Sequence, residues 1–176
     1  MSRYYTIGHS THPLAHFIEL LRGAGARCVA DVRTMPRSRT NPQFNADVLP
    51  AALAAADIGY QHIAALGGLR SRRRDVAEDT NAYWENASFH NYADYAMSDA
   101  FAGGLARLRE LAAKAPTAVM CAEALWWRCH RRIIADYLLA AGEQVAHIMA
   151  DGTVAEARLT PAARRTGAVL VYPHSA

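Results

Sequence analysis

Short apolar runs alternate along this chain with segments of helical periodicity, and this alternation constrains the fold most strongly. Parallel strands need long crossover connections, which are usually helices. The sequence therefore predicts a three-layer α/β fold with a mostly parallel sheet of about five strands and helices on both faces. The predicted strands are residues 4–8, 28–32, 58–63, 117–121 and 144–149, and the predicted helices are residues 13–23, 46–57, 92–115 and 126–141.

Length and composition favour a single domain over residues 1–176. Hydrophobic residues make up 52% and charged residues 20%, which is enough apolar mass for a core and too little charge for disorder. No run approaches the roughly 18 apolar residues of a membrane span, and the first residues lack the layout of a signal peptide. We therefore expect a cytoplasmic protein with no membrane partner. The odd number of cysteines, 3, argues against a disulfide scaffold.

Arginine supplies nearly all of the positive charge, since Lys114 is the only lysine among the 19 basic residues. A GC-rich genome would also produce this composition, so the positions of the arginines matter more than their number. Guanidinium groups bind phosphate in a bidentate manner. The arginines form three clusters, which are Arg33, Arg37 and Arg39, then Arg70, Arg72, Arg73 and Arg74, then Arg128, Arg131 and Arg132.

Polar residues end or follow the predicted strands, and the fifth strand itself carries His147. In open α/β sheets, ligands bind outside the carboxyl ends of the strands, so these residues are the first candidates for a functional site. We expect them to share one edge of the sheet with the arginine clusters. In chain order they are His9 and Ser10, Asp31 and Arg33, Gly67 and Gly68, Cys121 and Glu123, and His147.

Each titratable candidate has a structural alternative. Asp31 is either a catalytic carboxylate or half of a buried ion pair with Arg33. Glu123 is either catalytic or a cap for the following helix. His9 and His147 are either catalytic or simply hydrogen-bonded.

Cys121 and Cys129 are the two cysteines placed near this edge. Cys121 is either functional or a small core residue at a strand end. Cys129 lies in the first turn of a predicted helix beside His130 and Arg131, where the helix dipole and neighbouring cations lower a thiol pKa, although the position also suits packing. Seven residues separate the two cysteines, unlike the close pairs of structural zinc sites. We therefore predict no metal and no other cofactor.

A long polar segment over residues 67–91 exceeds a routine connection and is predicted to be a functional loop. It carries Arg70 and its neighbouring arginines, which could neutralise phosphates. Its aromatic residues, among them Trp84, offer planar side chains for stacking on bases or a hydrophobic cover for the sheet. Trp126 and Trp127 are adjacent at a helix entry and cannot both face the core, so Trp127 is a candidate wall of the site.

The assembled motifs resemble the domain-of-unknown-function family numbered 488. The resemblance implies an α/β fold and a loosely DNA-repair-like role. The matching pieces are TIGHST at residues 6–11, DVRTMPRS at 31–38, LGGLR at 66–70, CAEALWWRCHRR at 121–132 and VAHI at 145–148.

The function predicted from the sequence is that of a monofunctional DNA N-glycosylase. Asp31 or Glu123 would orient water and stabilise the cationic transition state, and His9 would protonate the leaving base. A Schiff-base lyase is disfavoured because the sole lysine precedes the fourth strand. The expected partner is nucleic acid, DNA rather than RNA. Two alternatives remain, which are a thiol-dependent enzyme or redox protein acting on a small anionic substrate, and a nucleic-acid-binding module without chemistry.

The predicted site has two sets of residues. The catalytic candidates are Asp31, Glu123, His9 and Cys121. The substrate-binding candidates are Ser10, Arg33, Arg37, Gly67, Gly68, Arg70, Trp84, Trp127, Cys129, His130 and Arg131.

Overall fold

Five parallel strands and one antiparallel edge strand form the central sheet in this computed structural model, which describes residues 3–174. The strand order is β3-β2-β4-β1-β5-β6, and β7 and β8 form a separate antiparallel hairpin. The strands are β1 Arg3–Gly8, β2 Cys28–Asp31, β3 Gly59–His62, β4 Thr117–Cys121, β5 Gln144–Ile148, β6 Val154–Glu156, β7 Arg164–Thr166 and β8 Val169–Val171.

In the described part of the chain, five α-helices cover the two faces of the sheet, as the sequence predicts. Successive side chains of a strand point to opposite faces, so Tyr5 and Ile7 pack with the first two helices while Tyr4 packs with the other three. The chain thus folds as the predicted α/β class. The helices are α1 Leu14–Ala24, α2 Leu49–Ala54, α3 Ala87–Tyr95, α4 Asp99–Lys114 and α5 Arg131–Ala140.

The connections that leave β1 and β4 run to opposite faces of the sheet. These strands are neighbours, with Gly8 beside Cys121 in register. Because α1 follows β1 on one face and α5 follows β4 on the other, a crevice opens between the two connections at the carboxyl edge. The edge is held by backbone bonds, since His9 N–H donates to the Cys121 carbonyl at 2.9 Å and Val32 N–H to the Met120 carbonyl at 2.9 Å.

Several predicted boundaries differ from those of the structure. The predicted helix over residues 92–115 is two helices, because the Ser98 hydroxyl accepts a hydrogen bond from Phe101 N–H and starts a new helix. Gly103 and Gly104 both lie inside α4 and do not interrupt it. The helix predicted from residue 126 begins with a separate 3-10 turn before α5.

Most of the predicted loop over residues 67–91 is irregular chain, and its last residues begin α3. The buried Asn81 anchors the irregular part. Its side chain donates to Asp94 at 2.7 Å and accepts from Tyr172 N–H at 2.9 Å. This part of the segment is therefore fastened to the domain through side-chain hydrogen bonds. Within residues 3–174, no helix has the length and apolar character needed to cross a membrane.

Gly8 allows the loop after β4 to approach β1. A Cβ at this position would lie 1.9 Å from the Glu123 carbonyl oxygen, a backbone atom that cannot move aside alone. We predict that Gly8→Ala lowers the free energy of unfolding by about 2–3 kcal/mol, measured by urea denaturation. Gly103→Ala is the matched control, because nothing lies within 4 Å of its Cβ position. This change should raise the free energy of unfolding by about 0.5–1 kcal/mol, since alanine favours the helical conformation of α4 more than glycine does. Equal stability of the two variants would contradict the close approach.

Candidate functional site

A cavity of about 710 Å³ opens at the carboxyl edge of the sheet, above the ends of β1, β2 and β4. Its walls carry more positive than negative charge, and among residues 3–174 the only carboxylate that lines it is that of Glu123. The lining residues are His9, Ser10, Thr11, Arg33, Thr34, Met35, Arg37, Ser38, Thr40, Asn41, Gly68, Leu69, Ser88, Phe89, Cys121, Ala122, Glu123, Ala124, Arg128, Cys129 and His130.

Two free cysteines meet in the wall of this cavity. Cys121 ends β4, and Cys129 lies two residues before the start of α5. The two Sγ atoms are 2.8 Å apart, and the two residues are only 4% and 7% exposed. The sequence places each thiol near the edge, and the structure brings them into direct contact.

The Cys129 sulfur is surrounded by hydrogen-bond donors. The backbone N–H and the Nε–H of Arg131 each lie 3.4 Å from Cys129 Sγ, and His130 Nδ1 lies 3.5 Å away. Burial acts to raise the pKa of this thiol, but the hydrogen bond from Cys121 and the positive charges of His130 and Arg131 outweigh burial and hold the pKa well below its ordinary value. Cys129 is therefore the thiol of the pair that ionises more readily.

Cys121 is the thiol of the pair that keeps its proton more readily. Burial raises the pKa of its thiol well above the ordinary value, and the hydrogen bond with Cys129 raises it further. When the pair loses one proton, the Cys121 S–H therefore donates to the Cys129 sulfur. The two thiols thus differ in acidity although they share one environment.

Arg131 places a buried positive charge next to the thiol pair, with its Nε 3.4 Å from Cys129 Sγ. Its side chain is 1% exposed and donates to the Glu123 carbonyl oxygen at 2.6 Å and towards Thr6 Oγ1 at 3.4 Å. No carboxylate among residues 3–174 forms an ion pair with it. Because an unpaired buried charge is costly, ionisation of Cys129 would give this guanidinium a counter-charge.

His147 continues this buried network below Arg131. Its Nδ1 lies 2.6 Å from Thr6 Oγ1, and the Trp126 ring stacks on the imidazole with 4.2 Å between centroids. Burial, and then the charge of Arg131, lower the pKa of His147 to about 4. A neutral imidazole avoids repulsion from the positive charge of Arg131. Thr6 was not among the predicted site residues, although its polar side chain inside an apolar strand could have indicated it.

His130 is oriented by a backbone carbonyl. Its Nε2–H donates to the Val32 carbonyl oxygen at 2.7 Å, so that Nδ1 faces the Cys129 sulfur. A Cβ at Gly68 would lie 2.6 Å from His130 Nδ1, which explains why a glycine occupies this position. A Cβ at Gly67 would likewise lie 2.6 Å from Thr34 Oγ1, and Gly67 does not line the cavity.

Asp31 is fully buried and does not line the cavity. Its carboxylate accepts from Arg33 Nε at 2.9 Å and from Arg33 Nη2 at 2.7 Å, and the Tyr60 hydroxyl also donates to it. These hydrogen bonds hold the Arg33 fork in the cavity wall. The structural alternative considered for Asp31, a buried ion pair, therefore describes its geometry.

His9 stands beside Arg33 with both ring nitrogens occupied. Its Nδ1–H donates to the Ser10 carbonyl at 2.8 Å, and its Nε2 accepts from Arg33 Nη1 at 3.3 Å. Burial lowers the pKa of His9, and the charge of Arg33 also acts to lower it. The neutral ring consequently has no spare proton directed at the cavity. Ser10 follows with a left-handed φ of 46°, which turns the chain along the cavity wall.

Arg37 and Arg128 are the exposed cations of the cavity wall. Within residues 3–174 neither guanidinium has a hydrogen-bonding or ion-pair partner on the protein, which leaves both free to bind an anion. Guanidinium groups suit carboxylate and phosphate oxygens equally well. These two side chains therefore define the anion-binding part of the cavity.

The remaining predicted residues lie away from the cavity lining. Arg70 donates to the carbonyls of Gly67 and Ala64 and stacks over Tyr95 at 3.8 Å. Trp84 is buried and stacks on Phe89, and Trp127 is 41% exposed but does not line the cavity. The three arginine clusters do not all converge on the cavity as expected. Arg33, Arg37 and Arg128 line the cavity, whereas no arginine of the cluster over residues 70–74 does. Among residues 3–174, no three His, Cys, Asp or Glu side chains are grouped to hold a metal ion.

The fold and site define an α/β domain with a thiol pair at the carboxyl edge of a parallel sheet. The chain belongs to the family described as Domain of unknown function DUF488, which matches residues 13–138. That description assigns no activity. No curated protein and no solved structure matches the chain.

The Asp31–Arg33 ion pair gives a test of the part that Asp31 plays. We predict that Asp31→Asn lowers the free energy of unfolding by about 3–5 kcal/mol, because it leaves a buried guanidinium without its charge partner. Glu123→Gln changes the exposed carboxylate and should alter stability by less than about 0.5 kcal/mol. Urea denaturation of both variants measures the difference. An Asp31→Asn protein as stable as the parent would return Asp31 to the catalytic candidates.

Proposed function

We propose that this protein is a thiol-dependent enzyme in which the Cys129 thiolate attacks a small anionic substrate held in the cavity. The observation that carries the proposal is the contact of Cys129 with the buried Arg131, which has no carboxylate partner among residues 3–174. A thiolate is the nucleophilic form of cysteine. Its position in the wall of a 710 Å³ cavity gives a substrate access to it.

The neighbouring groups supply the rest of the chemistry. His130 has the position of the base in a Cys–His pair, with Nδ1 towards the sulfur and Nε2–H fixed by the Val32 carbonyl. As an imidazolium it stabilises the thiolate and can donate a proton to a leaving group. Arg37 and Arg128 attract the anion and orient it towards Cys129.

DNA N-glycosylase activity is the second candidate, and one observation favours it. Glu123 presents a carboxylate to a cavity rich in positive charge, where it could stabilise a developing cation. Asp31 and His9 support this candidate less, because their polar atoms are engaged with Arg33 and the backbone. Release of free base from modified DNA that disappears in Glu123→Gln but persists in Cys129→Ser would favour the glycosylase over the thiol enzyme.

Selective alkylation tests the thiol proposal. At neutral pH, iodoacetamide should modify Cys129 before Cys28 and Cys121, because burial raises the pKa of the other two thiols. Peptide mapping after partial reaction identifies the modified residue. Modification of Cys28 or Cys121 first would contradict the assignment of the thiolate.

The charge of the alkylating reagent tests the anion site. The ratio of the alkylation rate with iodoacetate to that with iodoacetamide should be higher for Cys129 than for a small free thiol. The double variant Arg37→Gln and Arg128→Gln should lower this ratio by about 2- to 5-fold, which corresponds to the free energy of an exposed ion pair. The rate with iodoacetamide corrects for any change in the thiolate population. Arg72→Gln is the matched control, since Arg72 does not line the cavity. An unchanged preference in the double variant would exclude these arginines from the anion site.

A further inference from the structure

Cys121 forms no covalent bond in the proposed nucleophilic attack, yet it lies at the reacting atom. Its Sγ is 2.8 Å from that of Cys129, closer than the Arg131 nitrogens at 3.4 Å and His130 Nδ1 at 3.5 Å. Attack by Cys129 alone needs no second sulfur. Two thiols in contact, one deprotonated and one protonated, instead have the arrangement needed for disulfide exchange.

We infer that Cys121 is a resolving thiol, and that the pair reduces the disulfide of a small anionic thiol. This inference rests on the proposed function, since it takes Cys129 as the attacking thiolate. It adds the substrate class and a second participating residue. The third cysteine, Cys28, lies at the opposite end of the sheet, because it starts β2 whereas Cys121 ends β4.

The reaction takes place in two exchange steps. First, the Cys129 thiolate attacks one sulfur of the substrate disulfide, which forms a mixed disulfide on Cys129 and releases the other half as a thiolate. Second, the Cys121 sulfur attacks Cys129 Sγ, which forms the Cys121–Cys129 disulfide, releases the second half, and passes the Cys121 proton to that leaving thiolate. The substrate gains two electrons and the protein loses two. An external dithiol then reduces the protein pair.

The environment of each sulfur fits its step. The Cys129 sulfur lies against Cys121, His130 and Arg131, which favour its thiolate, and it faces the cavity, so it is ready to attack. Cys121 stays protonated until the thiolate beside it is consumed, and its proton is then available for the leaving group. Once Cys129 is part of a mixed disulfide, its negative charge is gone and no longer opposes ionisation of Cys121, while Arg131 still favours the Cys121 thiolate.

The cavity favours an anionic disulfide over a hydroperoxide. A volume of about 710 Å³ far exceeds what a hydroperoxide of a few atoms requires. Arg37 and Arg128 provide sites for carboxylates, and the exposed side chains of Met35 and Leu69, 68% and 74% exposed, offer apolar contact at the cavity wall. Glutathione disulfide, which carries four carboxylates, is a suitable probe.

The experiment uses the reduced protein with Cys28→Ser, so that only the pair can react. After treatment with glutathione disulfide, intact mass should fall by two hydrogen atoms, peptide mapping should show a Cys121–Cys129 disulfide, and two equivalents of glutathione should appear. Adding Cys121→Ser should stop the reaction at a stoichiometric glutathione adduct on Cys129. Adding Cys129→Ser should abolish both products. Circular dichroism reports on the folding of each variant, and the iodoacetamide reactivity of Cys129 does so in the variants that keep this cysteine.

The possible outcomes separate this inference from the proposed function. If Cys129 alkylates rapidly but glutathione disulfide yields no Cys121–Cys129 bond in the protein with both cysteines, the inference fails and the thiol enzyme stands. If hydrogen peroxide forms that bond while glutathione disulfide does not, the substrate class is wrong. If Cys129 is unreactive towards iodoacetamide as well, both proposals fail. The protein with both cysteines decides each case, even if a serine variant misfolds.

Discussion

The buried charge of Arg131 is the constraint on which the site depends. Moving a guanidinium away from water is costly unless hydrogen bonds and an opposite charge compensate it. Here the compensation comes from the Glu123 carbonyl, the Thr6 hydroxyl and the Cys129 sulfur, with no carboxylate partner among residues 3–174. The thiolate and the guanidinium therefore stabilise each other. A protonated Cys129 would leave Arg131 buried without a counter-charge.

The fold brings these groups together through strand order. β4 lies between β1 and β2, so the loops that follow all three strands meet at one edge. Gly8 admits the loop after β4, Gly68 leaves space for His130, and the Asp31–Arg33 pair fixes the opposite wall. The reactive sulfurs occupy this edge because α5 begins there and supplies Arg131 from its first turn. The helix N-terminus adds a further favourable potential for the thiolate.

The α/β class and the carboxyl edge were predictable, because strand periodicity and crossover rules are properties of local sequence. The location of Asp31 and Cys121 at that edge followed from the same rules. The contact between Cys121 and Cys129 could not be predicted, since it depends on how the loop over residues 122–128 folds back. The roles of Arg70 and Trp84 were equally hidden, because exposure is decided by tertiary packing and not by residue type. Whether the site acts on nucleic acid stays a prediction.

The most direct test is the pH at which Cys129 ionises. Iodoacetamide reacts with the thiolate form, so the rate at which it modifies Cys129 in the Cys28→Ser protein, read by peptide mapping and followed against pH, reports the titration of Cys129 itself. The account predicts a midpoint below the pKa of about 8.5 of a free cysteine. Replacement of Arg131 by lysine, which keeps a charge but loses the Nε–H that faces the sulfur, should move the midpoint upward. A midpoint at or above that of free cysteine in the unaltered Arg131 protein would contradict the account.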